Sequence, residues 1–257
     1  MILLITSGFV LSGCEPSSSY QFNWQIKYDQ NILSCAGSET TNNQDNYSPS
    51  HFSWFLMLLH DVKVKSDGKW IPVTLKVAPN HSQSIALAGN ACHSDGTMSR
   101  YPLEFTGPDK FTELKFTIGV PFHLNHLNPL EQKAPLNRPD MFWVWRNGHK
   151  FLRLELENKT SSLTYHLGST GCSSISSIRP PSKACEAPNL ITINLSSERF
   201  QEQNVIELDL NQLIEKVITP SSQKVDREVH CLSGPENLDC QKLNHQLTHS
   251  FQLKTAE

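Results

Sequence analysis

The chain has 257 residues, 38% of them hydrophobic, a net charge of −3 and seven cysteines. Its length fits one large β domain or two small ones. The lack of a basic stripe argues against nucleic-acid binding through phosphate neutralisation, and the cysteine set argues against a reducing compartment.

Residues 1–11 are nearly all apolar and run into Leu11-Ser12-Gly13-Cys14, the pattern of a bacterial lipobox. Residues 1–13 are therefore expected to be a lipoprotein-type signal peptide. Cys14 would carry lipid, residues 14–19 would form a lipidated linker, and residues 20–257 a single domain. A buried strand is the alternative for residues 1–11. Such a signal should open with Lys or Arg, and none precedes Lys27, which suggests an earlier translation start. Glu15 after the cysteine gives no signal for inner-membrane retention. Anchoring through lipid in the periplasm or at the outer membrane is expected.

Period-two alternation dominates the remainder. Tyr20, Phe22, Trp24, Ile26 and Tyr28 occupy every second position of a half-buried strand. Residues 31–50 are polar and turn-rich. Residues 52–65 form a long apolar run, Asp67-Gly68 supplies a hairpin turn, and residues 70–77 return. Residues 80–108 show little periodicity. Leu114, Phe116, Ile118 and Val120 mark the next strand, and residues 121–139 are irregular. Residues 141–145 and 150–156 read as a hairpin across Asn147-Gly148, with Met141, Trp143 and Trp145 on one face. Short strands follow at 163–167, 191–195 and 205–210, the last running into a helical turn at 211–217. From Pro220 the chain is polar, with a weak last strand near 247–253. The fold class is all-β: a β-sandwich or irregular barrel of about nine to eleven short antiparallel strands with long loops.

Six cysteines besides Cys14 admit fifteen pairings. Proximity favours Cys172–Cys185 and Cys231–Cys240, and elimination leaves Cys35 with Cys92. A four-thiolate zinc site is the alternative, but such sites use pairs about two to four residues apart.

Eleven histidines are present, and neutral imidazole is the commonest protein metal ligand. His126 lies in the irregular segment, His166 on the strand face opposite Leu163, Tyr165 and Leu167, and His60 at the end of the apolar run. Asn125 and Asp61 are placed to orient His126 and His60. Each histidine alone is as readily an ordinary hydrogen-bonded residue, and Trp143 and Trp145 as readily core. No Gly-x-Ser-x-Gly, His-Glu-x-x-His or phosphate loop occurs. The scattered carboxylates offer no acid/base pair, which favours a carrier over an enzyme.

Several ordered segments carry a resemblance. They are Gly119-Val120-Pro121-Phe122 with Leu124-Asn125-His126; Pro135-Leu136-Asn137 with Met141-Phe142-Trp143-Val144-Trp145; Lys150-Phe151-Leu152-Arg153-Leu154; His166-Leu167-Gly168-Ser169-Thr170-Gly171-Cys172; and Cys231-Leu232-Ser233-Gly234-Pro235 with Cys240. Over roughly residues 20 to 240 the chain resembles the MbnP-like copper-binding proteins, the four-Cys partner of a metallo-mystery pair. The resemblance implies an exported β protein, often a lipoprotein, encoded with a MauG-like di-haem cytochrome c peroxidase. It implies that a tryptophan, here Trp143 or Trp145, is oxidised to kynurenine, whose amine joins histidines around copper. His126 and His166 are the ligands carried over, with His60 a further candidate. One copper per chain, as Cu(I), is expected. Two positions depart from the family: His123 stands where a non-ligand is expected, and His149 where Tyr is. A metal-free sandwich that binds a glycan or surface partner is the alternative, and a metalloenzyme a third reading.

Overall fold

The computed structural model describes residues 17–35, 51–77, 82, 84–157, 162–217 and 228–254. The expected signal peptide at residues 1–13 and Cys14 lie outside the described residues.

The architecture is an all-β sandwich of two mixed sheets. The smaller sheet is built on β1 (Ser17–Tyr28), which buries Tyr20, Phe22, Trp24 and Ile26 on one face, as the alternation predicts. β2 (Asn31–Ile32) folds back on its end. The larger sheet is built on β3 (His51–Ser66), flanked at its end by β4 (Lys69–Pro72). Asp67 and Gly68 both take positive φ in the turn between them, 48° and 76°, as a tight hairpin turn requires. Pro72 ends β4, and β5 (Thr74–Leu75) joins the other sheet.

Residues 55–59 of β3 are buried without a break. Alternation is lost there because both faces of the strand are covered. The same covering hides β6 (Ala86–Cys92), whose first six residues are buried. β7 (Met98–Tyr101) and β8 (Leu103–Pro108) complete a region that sequence periodicity leaves blank. β9 (Glu113–Ile118) pairs with β3. Aromatic contacts join the two sheets: Trp24 meets Phe55 and Phe116 edge-on, and Phe251 stacks on Phe55. Such rings supply large apolar area, so the sandwich interior is its main core.

The later strands are β10 (Leu152–Glu157), β11 (Ser162–Leu167), β12 (Ile191–Ser196), β13 (Gln203–Asp209), β14 (Glu228–Cys231) and β15 (Phe251–Lys254). The 15 strands among the described residues exceed the expected count because several are edge pieces of two to four residues. Two pairings, β1 with β13 and β11 with β14, are parallel rather than antiparallel.

Two local expectations are corrected. Residues 141–145 do not form a hairpin strand with 150–156. β10 is hydrogen-bonded to β3 on one edge and β11 on the other, so no edge remains for them. A 3-10 turn at Pro139–Met141 and a single bridge between Phe142 and His149 take their place. Near the C-terminus, Leu238–Leu247 is a helix rather than polar loop. Asn237 caps it, accepting from the Cys240 N–H at 3.1 Å, and Cys240, Leu243 and Leu247 line its buried face. That cap and spacing are readable in the sequence.

Candidate metal centre

After β9, Pro121 opens the four-residue helix α1 (Phe122–Asn125), whose end buries Asn125 and His126. Asn125 is fully enclosed. Its Oδ1 accepts from the His149 backbone N–H at 2.8 Å, which fixes the amide so that Nδ2 faces His126 Nε2 at 3.2 Å. The other nitrogen, His126 Nδ1, lies 3.2 Å from the Trp145 carbonyl oxygen. A carbonyl only accepts and an amide NH₂ only donates. His126 therefore carries its proton on Nδ1 and its lone pair on Nε2. Burial pushes its pKa down, and the Trp145 carbonyl only partly offsets this, so the ring is neutral near pH 7. A neutral imidazole with a directed lone pair is a metal-ligand form.

Residues 143–149 form the wall beside it. The Trp143 N–H donates to Gly148 and the Val144 carbonyl accepts from Asn147 and Gly148, closing a tight turn. Gly148 has φ 75°, and a Cβ there would lie 2.5 Å from the Asn125 side chain. His149 is wholly buried, with Nδ1 3.1 Å from the Asn125 carbonyl and Nε2 2.9 Å from that of Leu136. It pins the Asn125 turn to the Leu136 segment. Trp145 holds its indole N–H buried with no hydrogen-bond partner among the described residues. Trp24 has the same feature, but inside the aromatic core.

His166 lies on the outer face of β11, buried beneath Trp143 at a ring separation of 6.4 Å. Gly168 allows this approach, since a Cβ there would lie 2.5 Å from the Trp143 ring. His166 Nε2 is 2.7 Å from Glu155 Oε1, so that nitrogen donates, and in the neutral form of the ring the lone pair is on Nδ1. Arg153 grips the same carboxylate through Nε and Nη2 and stacks over Trp54, 4.0 Å from its centroid. Burial pushes the Glu155 carboxyl up, but hydrogen bonds and charge from His166 and Arg153 outweigh it and bring it down to about 2. Glu155 thus remains an anion that orients His166, a role sequence reasoning missed.

Asn125 Nδ2 reaches Ser169 Oγ at 3.5 Å, tying the His126 turn to the segment that follows β11. His60 stands apart. It sits at a bulge in the β3–β9 ladder, its Nδ1 3.0 Å from the Gly119 carbonyl oxygen. Burial pushes its pKa down. Asp61 takes a φ of 51° there and its carboxylate pairs with Lys63 at 2.7 Å. His123 is exposed.

All three disulfides form as expected: Cys35–Cys92, Cys172–Cys185 and Cys231–Cys240. The second brings a surprise. Cys185 Sγ lies 3.6 Å from His126 Nε2. Among the described residues, the donors that converge in a group of three within 4.8 Å are His126, Cys172 and Cys185. His166 and His60 are not members of that group.

A family model described as MbnP matches residues 17–233. The chain belongs to the MbnP family. MbnP from Methylosinus trichosporium has a similar solved structure, with a TM-score of 0.67 and 19% sequence identity over 89% of this chain and 87% of that one. At that identity the likeness is one of fold. No curated protein matches. The MbnP family is copper-associated, and the match spans both the His126 turn and the His166 strand.

Proposed function

We propose that this MbnP-family chain binds copper in the bacterial cell envelope and serves its uptake, storage or delivery rather than catalysing a reaction. One Cu(I) per chain is held first by His126 through Nε2 and by His166 through Nδ1, with His60 a third candidate. The observation that carries this reading is the fixed tautomer of His126: Nδ1–H is given to Trp145, and the lone pair points inward from a ring that burial keeps neutral. His166 is oriented by a carboxylate in the manner usual for metal-bound histidine. Two imidazoles suit copper. Glu155, the acid bonded to His166, is committed to His166 and Arg153, which speaks for a carrier.

Copper at His126 displaces the Asn125 amide from Nε2. An unmodified indole is a poor donor, whereas the aromatic amine of kynurenine is a usable one. Trp143, whose ring lies 6.4 Å from that of His166, and Trp145, whose backbone carbonyl faces His126, are the candidates for that change, and the buried indole N–H of Trp145, with no partner among the described residues, supports a ring that is to be altered. A MauG-like di-haem peroxidase is the proposed oxidant. Lipid anchorage at Cys14, in the periplasm or at the outer membrane, completes the reading.

Elemental analysis of protein purified from its native envelope tests it. About one copper per chain is expected, with one tryptophan peptide that has lost a carbon and gained an oxygen. Replacing His126 and His166 together by Ala should abolish Cu(I) uptake. A chain that takes up no copper, or an unchanged affinity in the double variant, sinks the proposal.

A further inference from the structure

The Cys172–Cys185 bond closes a loop that carries Ile175 and Ile178 in the open. Cys185 is buried against His126, while Cys172 is only half-buried. The pair is therefore reachable from one side and backed by an imidazole lone pair on the other. Donors that share a metal at about 2.0–2.3 Å stand roughly 3.5–4 Å apart. The three donor atoms already lie within 4.8 Å of one another. Opening the sulfur–sulfur bond lets the two sulfurs part to that separation without moving the backbone far.

We propose that reduction of Cys172–Cys185 converts this corner of the fold into a three-coordinate thiolate site for a soft cation, with Cys172, Cys185 and His126 as ligands. Two thiolates and one imidazole select Cu(I) or zinc. Among the described residues the group holds three donors, which favours Cu(I), since structural zinc takes four ligands. The step needs a dithiol reductant. Its thiolate attacks Cys172, the Cys172–Cys185 bond breaks, and the Cys185 sulfur leaves with the electron pair and takes up a proton. The second thiol of the reductant then releases Cys172, and the reductant becomes a disulfide. Two electrons and two protons pass to the protein. Cu(I) replaces both thiol protons and keeps its oxidation state. The proposal shares His126 with the nitrogen-donor site but does not need His166, so reduction would move one copper from nitrogen to sulfur.

The test uses the intact chain under anaerobic conditions. A dithiol is added until mass mapping of alkylated cysteines shows Cys172 and Cys185 free while far-ultraviolet dichroism is retained. Cu(I) is then supplied from a chromophoric chelator. One Cu(I) per chain should bind, shield both cysteines from alkylation and give a thiolate-to-copper absorption. His126→Ala, which keeps the disulfide, should weaken this binding about tenfold or more. Equal alkylation with and without Cu(I) overturns the proposal. So does undiminished binding by His126→Ala, or opening of the pair only on unfolding. Copper held by the dithiol form alone would remove the nitrogen-donor reading and keep this one; copper held by the disulfide form alone would do the reverse.

Discussion

His166 gives its Nε2–H to the Glu155 carboxylate at 2.7 Å, on the face of the sheet that Trp143 lies over. This contact sets both the ring plane and the tautomer of His166. Glu155→Gln keeps the size of the side chain but removes the charge, and the freed amide can present a donor to Nε2. We expect copper affinity to fall about 10–100-fold, read by competition with a Cu(I) chelator, and the melting temperature to fall only slightly. An affinity equal to wild type would show that His166 is not a ligand oriented by Glu155.

Gly168 tests how closely Trp143 must approach the strand that carries His166. A Cβ there would stand 2.5 Å from the indole and 2.8 Å from the His149 carbonyl oxygen. The ring can swing aside, but the carbonyl belongs to the backbone. Gly168→Ala should cost about 1–3 kcal/mol of stability by overpacking and move Trp143 away from His166. Urea unfolding followed by tryptophan fluorescence would report both effects. A neutral outcome would mean that this segment yields.

The Cys231–Cys240 bond joins β14 to the helix Leu238–Leu247 across nine residues, and both cysteines are buried. Replacing both with Ala should cost about 2–3 kcal/mol and leave copper binding intact, because His126 and His166 lie on other elements. Parallel chemical denaturation and copper titration would check this. Loss of copper with stability unchanged would count against it.

What the sequence reveals and what it hides can be traced residue by residue. Tyr20, Phe22, Trp24 and Ile26 announce β1 because one face is core and the other is not. Residues 55–59 and 86–91 do not alternate, since both faces are covered. Asn125-His126 stands out as a polar pair in an irregular segment. Glu155 does not, because it meets His166 only once β10 and β11 pair with Arg153 opposite His166. The approach of Cys185 to His126 spans 59 residues and two loops, and no local pattern encodes it. The tryptophan strand failed for a similar reason: nothing in residues 141–145 says that both edges of β10 are already taken.

His149 gives the pH prediction. Both ring nitrogens face oxygens, Nδ1 those of Asn125 and Nε2 that of Leu136. A neutral ring can donate to only one of them. The carbonyls favour the charged form, but burial opposes it more strongly and pushes the pKa down. The unfolded chain takes up its proton near pH 6.5. Between that value and the lower folded one, the unfolded state binds more protons, so stability falls as pH falls. His149 should contribute up to about 1.4 kcal/mol per pH unit in this window and nothing above it. His60 and His126, lowered by the same cause, act in the same direction. Urea midpoints of the metal-free protein from pH 8 to pH 5 should decline below about pH 7, and His149→Gln should flatten the decline. A chain that gains stability towards pH 5, with the gain lost in His149→Gln, would mean that the ring is buried as an imidazolium shared between Asn125 and Leu136.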